Sequence, residues 1–528
     1  MRPLTTILLT TAHLLFGQVP TSSAAWLEPR HHFTNRGGYA KMGSGIKVVV
    51  HPHPQLVGSS TFDQLLDHHN PSKGTFKQRY FWDASSWAGP GSPVFLFNPG
   101  EDAADGYVGY LDNHTLPGLY ADTFQGAVIV IEHRYWGKSI PFDILTAETL
   151  QYLDVPQSIM DMTHFAKTVQ LSFDSSGDGG ANAEKAPWVL IGGSYSGALA
   201  AWTQKLSPGV FWAYHATSAV IEAVHDFHTY FAPIEAALPR NCSADVRAVV
   251  AHVDRVLDSR NSTAVRRLKR MFGLEHLGHD DFAEQITTPI WKWQGDHRAV
   301  FDFCDYMQTD DGSIKNVNLT SDRGLGLEKA LPLYAKFVNA TQGEVCRQFN
   351  CDSHSNARGF NTPMDLSGRR QWDWMLCHNP FGWWQVGPPK SDGTNIVSSH
   401  LRPEHFSRQC ALMFPTTGGF NIGSVRGFTE SMLNAWTAGW DAEFERVIFC
   451  NGGDDPWNSA TVTSKFRPGG PRRSTDKAPV FVIPGGIHVP DLVVDDTPSE
   501  SLVVSQEIEV MGRWLAEWTE EHSRGPVG

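Results

Sequence analysis

Short, uninterrupted apolar runs recur along the chain, and helical patterns separate several of them. Runs typical of buried strands occupy residues 94–97, 127–131, 189–191, 211–220, 447–450 and 480–483. Apolar residues recur at helical spacing over residues 159–169, before the third run, and over residues 504–518, after the last. Strands and helices that alternate in this way predict an α/β protein with a mainly parallel sheet and helices on both of its faces.

Two parts of the chain depart from this pattern. After Thr75 the sequence FKQRYFWDASSW alternates aromatic and polar residues, which is typical of hairpin strands at a sheet edge. Residues 222–440 carry helical runs and six of the seven cysteines, and they predict a large, mostly helical cap inserted before the strand at 447–450. The sheet domain is then built from residues 56–221 and 441–528.

The N-terminal segment has the pattern of a secretory signal. Residues 1–25 combine Arg2, an apolar stretch from Leu4 to Phe16 and a run of small residues at 23–25. A membrane anchor is the alternative, but the stretch is too short and too rich in threonine to span a bilayer. We therefore expect a secreted protein, with an acidic vacuole or lysosome-like compartment as the alternative. Residues 26–55 are predicted to be a leader or a pro-segment.

One strand-to-helix junction carries the candidate nucleophile. In APWVLIGGSYSGALAAW, residues 186–202, an apolar run leads through a glycine pair to Ser194 and then to helix-forming residues. A sharp turn there exposes the serine hydroxyl to a base, as in a nucleophile elbow. The usual pattern is G-x-S-x-G, and Ser196 stands where the second glycine is common. A glycine-rich loop without catalytic function is the alternative for this stretch taken alone.

Partners for this serine follow two later strands. Asn451-Gly-Gly-Asp-Asp-Pro-Trp457 comes after the run at 447–450, and His488 follows the run at 480–483. The order serine, aspartate, histidine, each at a strand end, is that of a catalytic triad on an α/β-hydrolase fold. The loop at 98–102, also after a strand, lies where that fold supplies its second oxyanion donor.

The same motifs resemble those of a known family. The chain is similar to the serine peptidases that include lysosomal Pro-X carboxypeptidase, dipeptidyl peptidase II and thymus-specific serine protease. Its cap, with YHATSA at 214–219, resembles most closely the secreted fungal acid prolyl endoproteases, in which a serine at the position of Ser196 is usual. The matching stretches are FDQLLDHHNP at 62–71, TFKQRYFW at 75–82, IEHRYWGKS at 131–139, GGSYSG at 192–197, NGGDDPW at 451–457 and GGIHVPDL at 485–492.

This resemblance implies roles for individual residues. Ser194 is the expected nucleophile and His488 the general base. Asp455 is the expected acid in preference to Asp454, because the motif places the acid directly before Pro-Trp. The N–H groups of Tyr195 and Glu101 are the expected oxyanion donors, and such donors contribute about 3 kcal/mol each to transition-state binding.

The resemblance also implies cleavage after proline. A proline ring is flat and apolar and lacks an N–H, so an aromatic slot can select it. Trp457 follows the acid by two residues and is expected in that slot. The cap segment QWDWMLCHNPFGWWQ, residues 371–385, supplies further candidates in Phe381, Trp383 and Trp384. Ordinary packing within the cap is the alternative for these three.

The expected activity is therefore acid-active endoproteolysis of proline-containing peptides or proteins. Pro-X carboxypeptidase or dipeptidyl peptidase action is the first alternative, because the sequence does not show which end of the cleft the cap closes. Esterase or lipase action and a non-catalytic binding module on the same fold remain as rivals. A formal net charge of −13 argues against a nucleic-acid partner.

No cofactor or metal is expected either. The pairs His31-His32 and His68-His69 are not accompanied by the spacing of metal ligands.

Cysteines and sequons fit an exported protein. We expect three disulfides among the six cap cysteines, with Cys346–Cys351 and Cys377–Cys410 as the local pairs and Cys450 as a free, buried strand thiol. The six cap cysteines are Cys242, Cys304, Cys346, Cys351, Cys377 and Cys410. Candidate N-glycosylation sites are Asn113, Asn241, Asn261, Asn318 and Asn339.

Overall fold

A computed structural model of the chain has an eight-stranded sheet at its centre, in the order β1-β2-β4-β3-β5-β6-β9-β10. β1 and β2 are antiparallel to their neighbours and the other strands are parallel. This is the α/β-hydrolase fold, and it confirms the predicted fold class. The strands are β1 Val57–Leu65, β2 Thr75–Asp83, β3 Val94–Asn98, β4 Ala127–Ile131, β5 Trp188–Gly193, β6 Ala213–Thr217, β7 Val224–Asp226, β8 Gly382–Trp384, β9 Val447–Gly452 and β10 Val480–Ile483.

The structure describes residues 56–177, 179–308, 322–349, 351–355, 357–389, 395–494 and 497–523. The predicted signal at 1–25, the predicted leader at 26–55 and the sequon at Asn318 lie outside these residues.

Helices flank the sheet and fill the stretch between β6 and β9. The α-helices are α1 Leu116–Thr123, α2 Val155–Thr168, α3 Tyr195–Leu206, α4 Phe231–Ala237, α5 Arg240–Leu257, α6 Ser262–Met271, α7 His279–Trp291, α8 His297–Met307, α9 Leu327–Val338, α10 Glu344–Phe349, α11 Ala357–Phe360, α12 Arg369–His378, α13 Pro403–Met413, α14 Glu430–Thr437 and α15 Pro498–Ser523. Short 3₁₀ segments include His228–Tyr230, Lys292–Gln294 and Pro456–Ala460, and residues Asn339–Gly343 form a π-helical turn.

Two hydrophobic cores lie on opposite faces of the sheet. On β5, Trp188 and Leu190 point into the larger core, whereas Val189 and Ile191 point into the smaller one. Successive side chains alternate across a strand, so a fully apolar run is what burial on both faces requires. The larger core continues without a break into the helices between β6 and β9, while the smaller one is covered by α1 and α15.

The two edge strands of the sheet have weaker apolar patterns than the central strands. β1 pairs with β2 along its whole length, yet VGSSTFDQL is mostly polar and exposed, so its apolar content does not mark it as a strand. At the other edge β10 is only partly buried, and Val482 is exposed. Edge strands have one unpaired side and little apolar burial, which weakens the signal that identifies them.

Three disulfides form in the described residues, and Cys450 is a buried free thiol on β9. They join Cys242 to Cys304, Cys346 to Cys351 and Cys377 to Cys410, in agreement with the expected set and both local pairs.

The sequons differ in exposure. Asn113 and Asn261 are exposed and Asn339 is half-buried. Asn241 is buried in the first turn of α5, where the residue is only 4% exposed, so it is the least accessible of the four described sequons. Within the described residues, no helix combines the length and the apolar character that crossing a membrane requires.

Candidate active site

Ser194 lies on a tight turn between β5 and α3. Its backbone has φ 58° and ψ −123°, a conformation that a non-glycine residue adopts only at a cost and that is characteristic of strained functional turns. A Cβ on Gly192 would lie 2.1 Å from the Ser196 carbonyl oxygen, so the turn requires glycine there. The turn accommodates a serine at position 196, where glycine is common. The Ser196 hydroxyl accepts a hydrogen bond from the Gly193 N–H at 2.9 Å and donates one to the Gly193 carbonyl at 2.8 Å.

Asp455 and His488 meet beyond the ends of β9 and β10. Asp455 precedes the 3₁₀ turn Pro456–Ala460 and is fully buried. His488 Nδ1 lies 2.9 and 3.0 Å from the two Asp455 carboxylate oxygens, so it can donate its proton to that carboxylate. Such a bond fixes the tautomer and leaves Nε2 as the basic nitrogen. The neighbouring Asp454 is partly exposed.

The turn that carries Ser194 and the loop that carries His488 are in contact. The Ser194 N–H donates to the Thr217 carbonyl at 3.0 Å, and the Val489 N–H donates to the Ser218 hydroxyl at 2.9 Å. A Cβ on Gly193 would lie 2.9 Å from Val489 Cγ1. The residues that adjoin Ser194 and His488 therefore touch each other at the end of β6.

The loop after β3 lies beside the same turn. A Cβ on Gly100 would lie 3.3 Å from the Ser196 Cβ, and the Gly100 N–H donates to Asn98 Oδ1 at 2.8 Å. Glu101 follows directly, and Tyr195 is the first residue of α3. Tyr195 therefore adjoins Ser194 directly, and Glu101 follows Gly100, which lies against Ser196 on the same turn.

The carboxyl groups in this loop favour their neutral forms. Burial, together with the charge of Asp102, raises the pKa of Glu101 to about 8. Burial raises the pKa of Asp102 to about 6, although the Tyr107 hydroxyl donates to its Oδ2 at 3.1 Å. Glu101 Oε2 has no hydrogen-bond partner among the described residues. At acidic pH the loop beside Ser194 therefore carries little negative charge.

Trp457 lies at the centre of an aromatic cluster that reaches His488. Its ring centroid is 6.2 Å from that of His488 and 5.9 Å from that of Trp383. Two rings from the segment after β7 complete the cluster, Tyr230 at 5.2 Å and Phe227 at 5.7 Å. A flat apolar surface therefore adjoins the imidazole.

The three other expected slot residues are placed differently. Trp383 stacks on Phe381 at 4.4 Å between centroids. Phe381 has no exposed surface and stacks in turn on Trp202 of α3, so it supports the cluster from behind. Trp384 points to the other face of β8 and stacks on Phe406 of α13, away from Trp457. Successive residues of a strand face opposite sides, which separates Trp383 from Trp384.

Sequence reasoning missed Gln294, Tyr230 and Phe227. Gln294 Oε1 accepts bonds from the Trp457 indole N–H at 2.6 Å and from the Tyr230 hydroxyl at 3.0 Å, which fixes both rings. None of the three lies in a motif, and only the fold brings the segment 227–230 and the 3₁₀ turn Lys292–Gln294 to the loop after β9.

Among the described residues, three groups of side chains could hold a metal by geometry, and one of them contains an ion pair. Burial lowers the pKa of His405, but Glu284 and Asp280 outweigh it and raise that pKa to about 9. The resulting cation is paired with Glu284 at 3.1 Å, within the cluster of Asp281, Glu284 and His405. A protonated histidine cannot ligate a metal.

A serine on a strained strand-to-helix turn and a buried aspartate–histidine pair on an α/β-hydrolase sheet are the features of a serine hydrolase. The sequence pattern of the serine carboxypeptidase S28 peptidase family matches residues 64–508, and the chain belongs to this family. It is a serine-type peptidase.

Curated relatives agree with this assignment. The chain is 36% identical to "Serine protease vicPa" of Bipolaris victoriae, over 89% of this chain and 91% of the relative. It is 27% identical to "Probable extracellular serine carboxypeptidase" of Arthroderma benhamiae, over 85% of this chain and 65% of the relative. It is 25% identical to the human "Thymus-specific serine protease", over 88% of each chain. Among solved structures, an arylesterase aligns over 87% of this chain and 86% of its own with 9% identity and a TM-score of 0.32.

Proposed function

We propose that this protein is a secreted peptidase that cleaves on the C-terminal side of proline through a Ser194–His488–Asp455 triad. The observation that carries the proposal is the hydrogen bond between His488 and Asp455. The loop that holds His488 also touches the turn that holds Ser194. His488 Nε2 takes the proton from Ser194 as its oxygen attacks the scissile carbonyl, and returns it to the leaving amine. Water then hydrolyses the acyl-enzyme by the same route.

Two backbone donors stabilise the oxyanion in this proposal. The N–H of Tyr195, at the start of α3, is one, and the N–H of Glu101 is the other. Each donor contributes about 3 kcal/mol, because it is already oriented before charge develops on the carbonyl oxygen.

The proline preference rests on the aromatic cluster around Trp457. The indole of Trp457 adjoins His488 and packs against the ring of Trp383, and together the two rings offer flat apolar surfaces to the residue before the scissile bond. A proline ring needs no hydrogen-bond partner for an N–H, so burying it there leaves no polar group unsatisfied. Residues 222–440, which supply Trp383, act as the cap over this cleft.

Endoproteolysis is the proposed mode, and carboxypeptidase action is the second candidate because both the family name and one fungal relative carry that term. One peptide sequence with proline placed internally, at the penultimate position, or replaced by alanine separates the two. We expect cuts after internal proline even when both termini are blocked, with no cut in the alanine peptide. Release of only a terminal residue, abolished by blocking the terminus, contradicts endoproteolysis.

The proposal of acid activity is based on Glu101 and Asp102, whose carboxyl groups lie in the loop beside the proposed oxyanion site. As pH rises, Asp102 ionises near its pKa of about 6 and Glu101 near its pKa of about 8. A negative charge there opposes the developing oxyanion, so kcat/KM should fall across this range. The folded state also retains a proton on Glu101 that the unfolded chain releases near pH 4.5, so the free energy of unfolding falls as pH rises from about 4.5 to about 8.

Glu101→Gln tests this assignment. The substitution keeps a neutral side chain of similar shape, so the part of the decline near pH 8 should be lost, while the part near pH 6 that is assigned to Asp102 and the activity near pH 4 to 5 persist. The measurement is kcat/KM across pH 3 to 9 for wild type and variant. Asp105→Asn is a matched control in the 3₁₀ segment Ala104–Leu111 that follows the loop, because the Asp105 carboxylate is largely exposed and paired with Arg79. An unchanged profile in Glu101→Gln contradicts the assignment.

A further inference from the structure

A fully buried polar cluster lies beneath the loop that carries His488. Asp491, three residues after His488, accepts a bond from His215 Nε2 at 2.7 Å through one carboxylate oxygen. Its other oxygen accepts from the Thr217 hydroxyl. The Tyr120 hydroxyl bonds the remaining ring nitrogen of His215 at 3.1 Å. We call Tyr120, His215, Thr217 and Asp491 the Asp491 cluster, and none of its residues has exposed surface.

Because the cluster is buried, its polar atoms must find their hydrogen-bond partners within the protein. A carboxylate removed from water must have its oxygens satisfied, and removing one donor leaves a buried charge underpaired. His215 and Thr217, which donate to Asp491, both lie on β6, the strand that also accepts the Ser194 N–H through the Thr217 carbonyl. One strand end therefore holds the turn of the nucleophile and the loop of the histidine.

The loop itself is strained next to His488. Val489 has φ 52°, a conformation that a β-branched residue does not adopt unless its surroundings impose it. The loop is fixed on both sides of this residue. Before it, the chain packs so closely on β9 that a Cβ on Gly452 would lie 2.1 Å from the Ile487 carbonyl oxygen. After it, the Asp491 carboxylate is tied to β6.

We propose that Asp491, held by His215 and Thr217, is a positioning residue for His488. It acts by retaining the loop in its strained conformation, so that the imidazole stays in line between Asp455 and Ser194. The proposal rests on the proposed function of His488 as general base. Displacement of a catalytic group by about 1 Å is sufficient to lower the rate by about 10²-fold.

Glu507 offers a matched control. It lies on α15, is equally buried, and places a carboxylate oxygen within 4.8 Å of the ligating atoms of His215 and Asp491. Burial and the nearby Asp491 raise its pKa well above the usual value, which favours the neutral form. Glu507→Gln therefore changes the same core without removing a donor to Asp491.

The experiment compares Thr217→Val, Thr217→Ser, Asp491→Asn and Glu507→Gln. Valine removes the hydroxyl and keeps the shape of threonine, whereas serine keeps the hydroxyl. We expect Thr217→Val and Asp491→Asn to lower kcat, by up to about 10²-fold, with little change in KM. Thr217→Ser and Glu507→Gln should retain the wild-type kcat. The rate at which a fluorophosphonate labels each variant should follow kcat, because it reports activation of the serine.

Several outcomes overturn the proposal. If Thr217→Val loses thermal stability but keeps kcat, the cluster serves core stability alone. The same conclusion follows if Thr217→Ser loses as much kcat as Thr217→Val. An equal loss of kcat in Glu507→Gln also overturns it. If Asp491→Asn does not fold, the Thr217 pair decides. Failure of the proposed function is separate: wild-type protein itself would then show no labelling and no turnover.

Discussion

Ser194→Ala is expected to lower kcat by roughly 10⁴- to 10⁶-fold and to abolish labelling by a fluorophosphonate. The substitution removes the oxygen that attacks the scissile carbonyl in the proposed mechanism, and the residual rate comes from substrate binding and the oxyanion donors. The variant should still fold, because the Ser194 side chain supplies no cap bond to α3 and its backbone bond to Thr217 is retained.

The control for this variant lies two residues away. Ser196→Ala removes a hydroxyl from the same turn, but one that bonds only the Gly193 backbone. It should remain labelled at Ser194. Turnover of peptide by Ser194→Ala at a rate near wild type, with thermal unfolding unchanged, contradicts the assignment of the nucleophile.

Asp455→Asn is expected to lower kcat by about 10⁴-fold with KM little affected. An amide in place of the carboxylate does not hold the proton on His488 Nδ1, so the imidazole can present the wrong nitrogen to Ser194. It also withdraws the negative charge that stabilises the imidazolium in the transition state. Steady-state kinetics on a proline peptide measure both effects.

Asp454→Asn distinguishes the two adjacent acids. Asp454 is partly exposed. Its backbone N–H donates to the Gly486 carbonyl and its backbone carbonyl accepts from the Trp293 indole N–H, and the substitution preserves both bonds. We expect this variant to keep kcat. A large loss in Asp454→Asn with activity retained in Asp455→Asn contradicts the triad as proposed.

The central sheet and the turn of Ser194 could be predicted from sequence because their signals are local. Strands buried on both faces are apolar throughout, and the glycine at 192 is dictated by a contact within the same turn. The predicted positions of Asp455 and His488 follow from the rule that parallel strands end at one edge of the sheet. β1 was not predicted, because an exposed edge strand buries too little to require an apolar pattern.

The walls of the cleft could not be predicted for a different reason. Gln294 contacts Trp457 across 163 residues of sequence, and no periodicity encodes such a contact. Trp383 and Trp384 look equivalent in sequence, yet their alternation on β8 sends one to Trp457 and the other to Phe406. Asn241 fits the sequon pattern, which carries no information on burial.

Cys450 bears on how the chain acquires its disulfides. All six cysteines that pair precede it in sequence, so in a chain that is exported during synthesis from the N-terminus they would reach an oxidising compartment before the seventh thiol does. In a fully reduced, denatured chain all seven thiols are available at once, and Cys450 is protected only after β9 has inserted between β6 and β10. For such a chain the order of synthesis therefore limits mispairing with Cys450, whereas oxidative refolding in vitro does not.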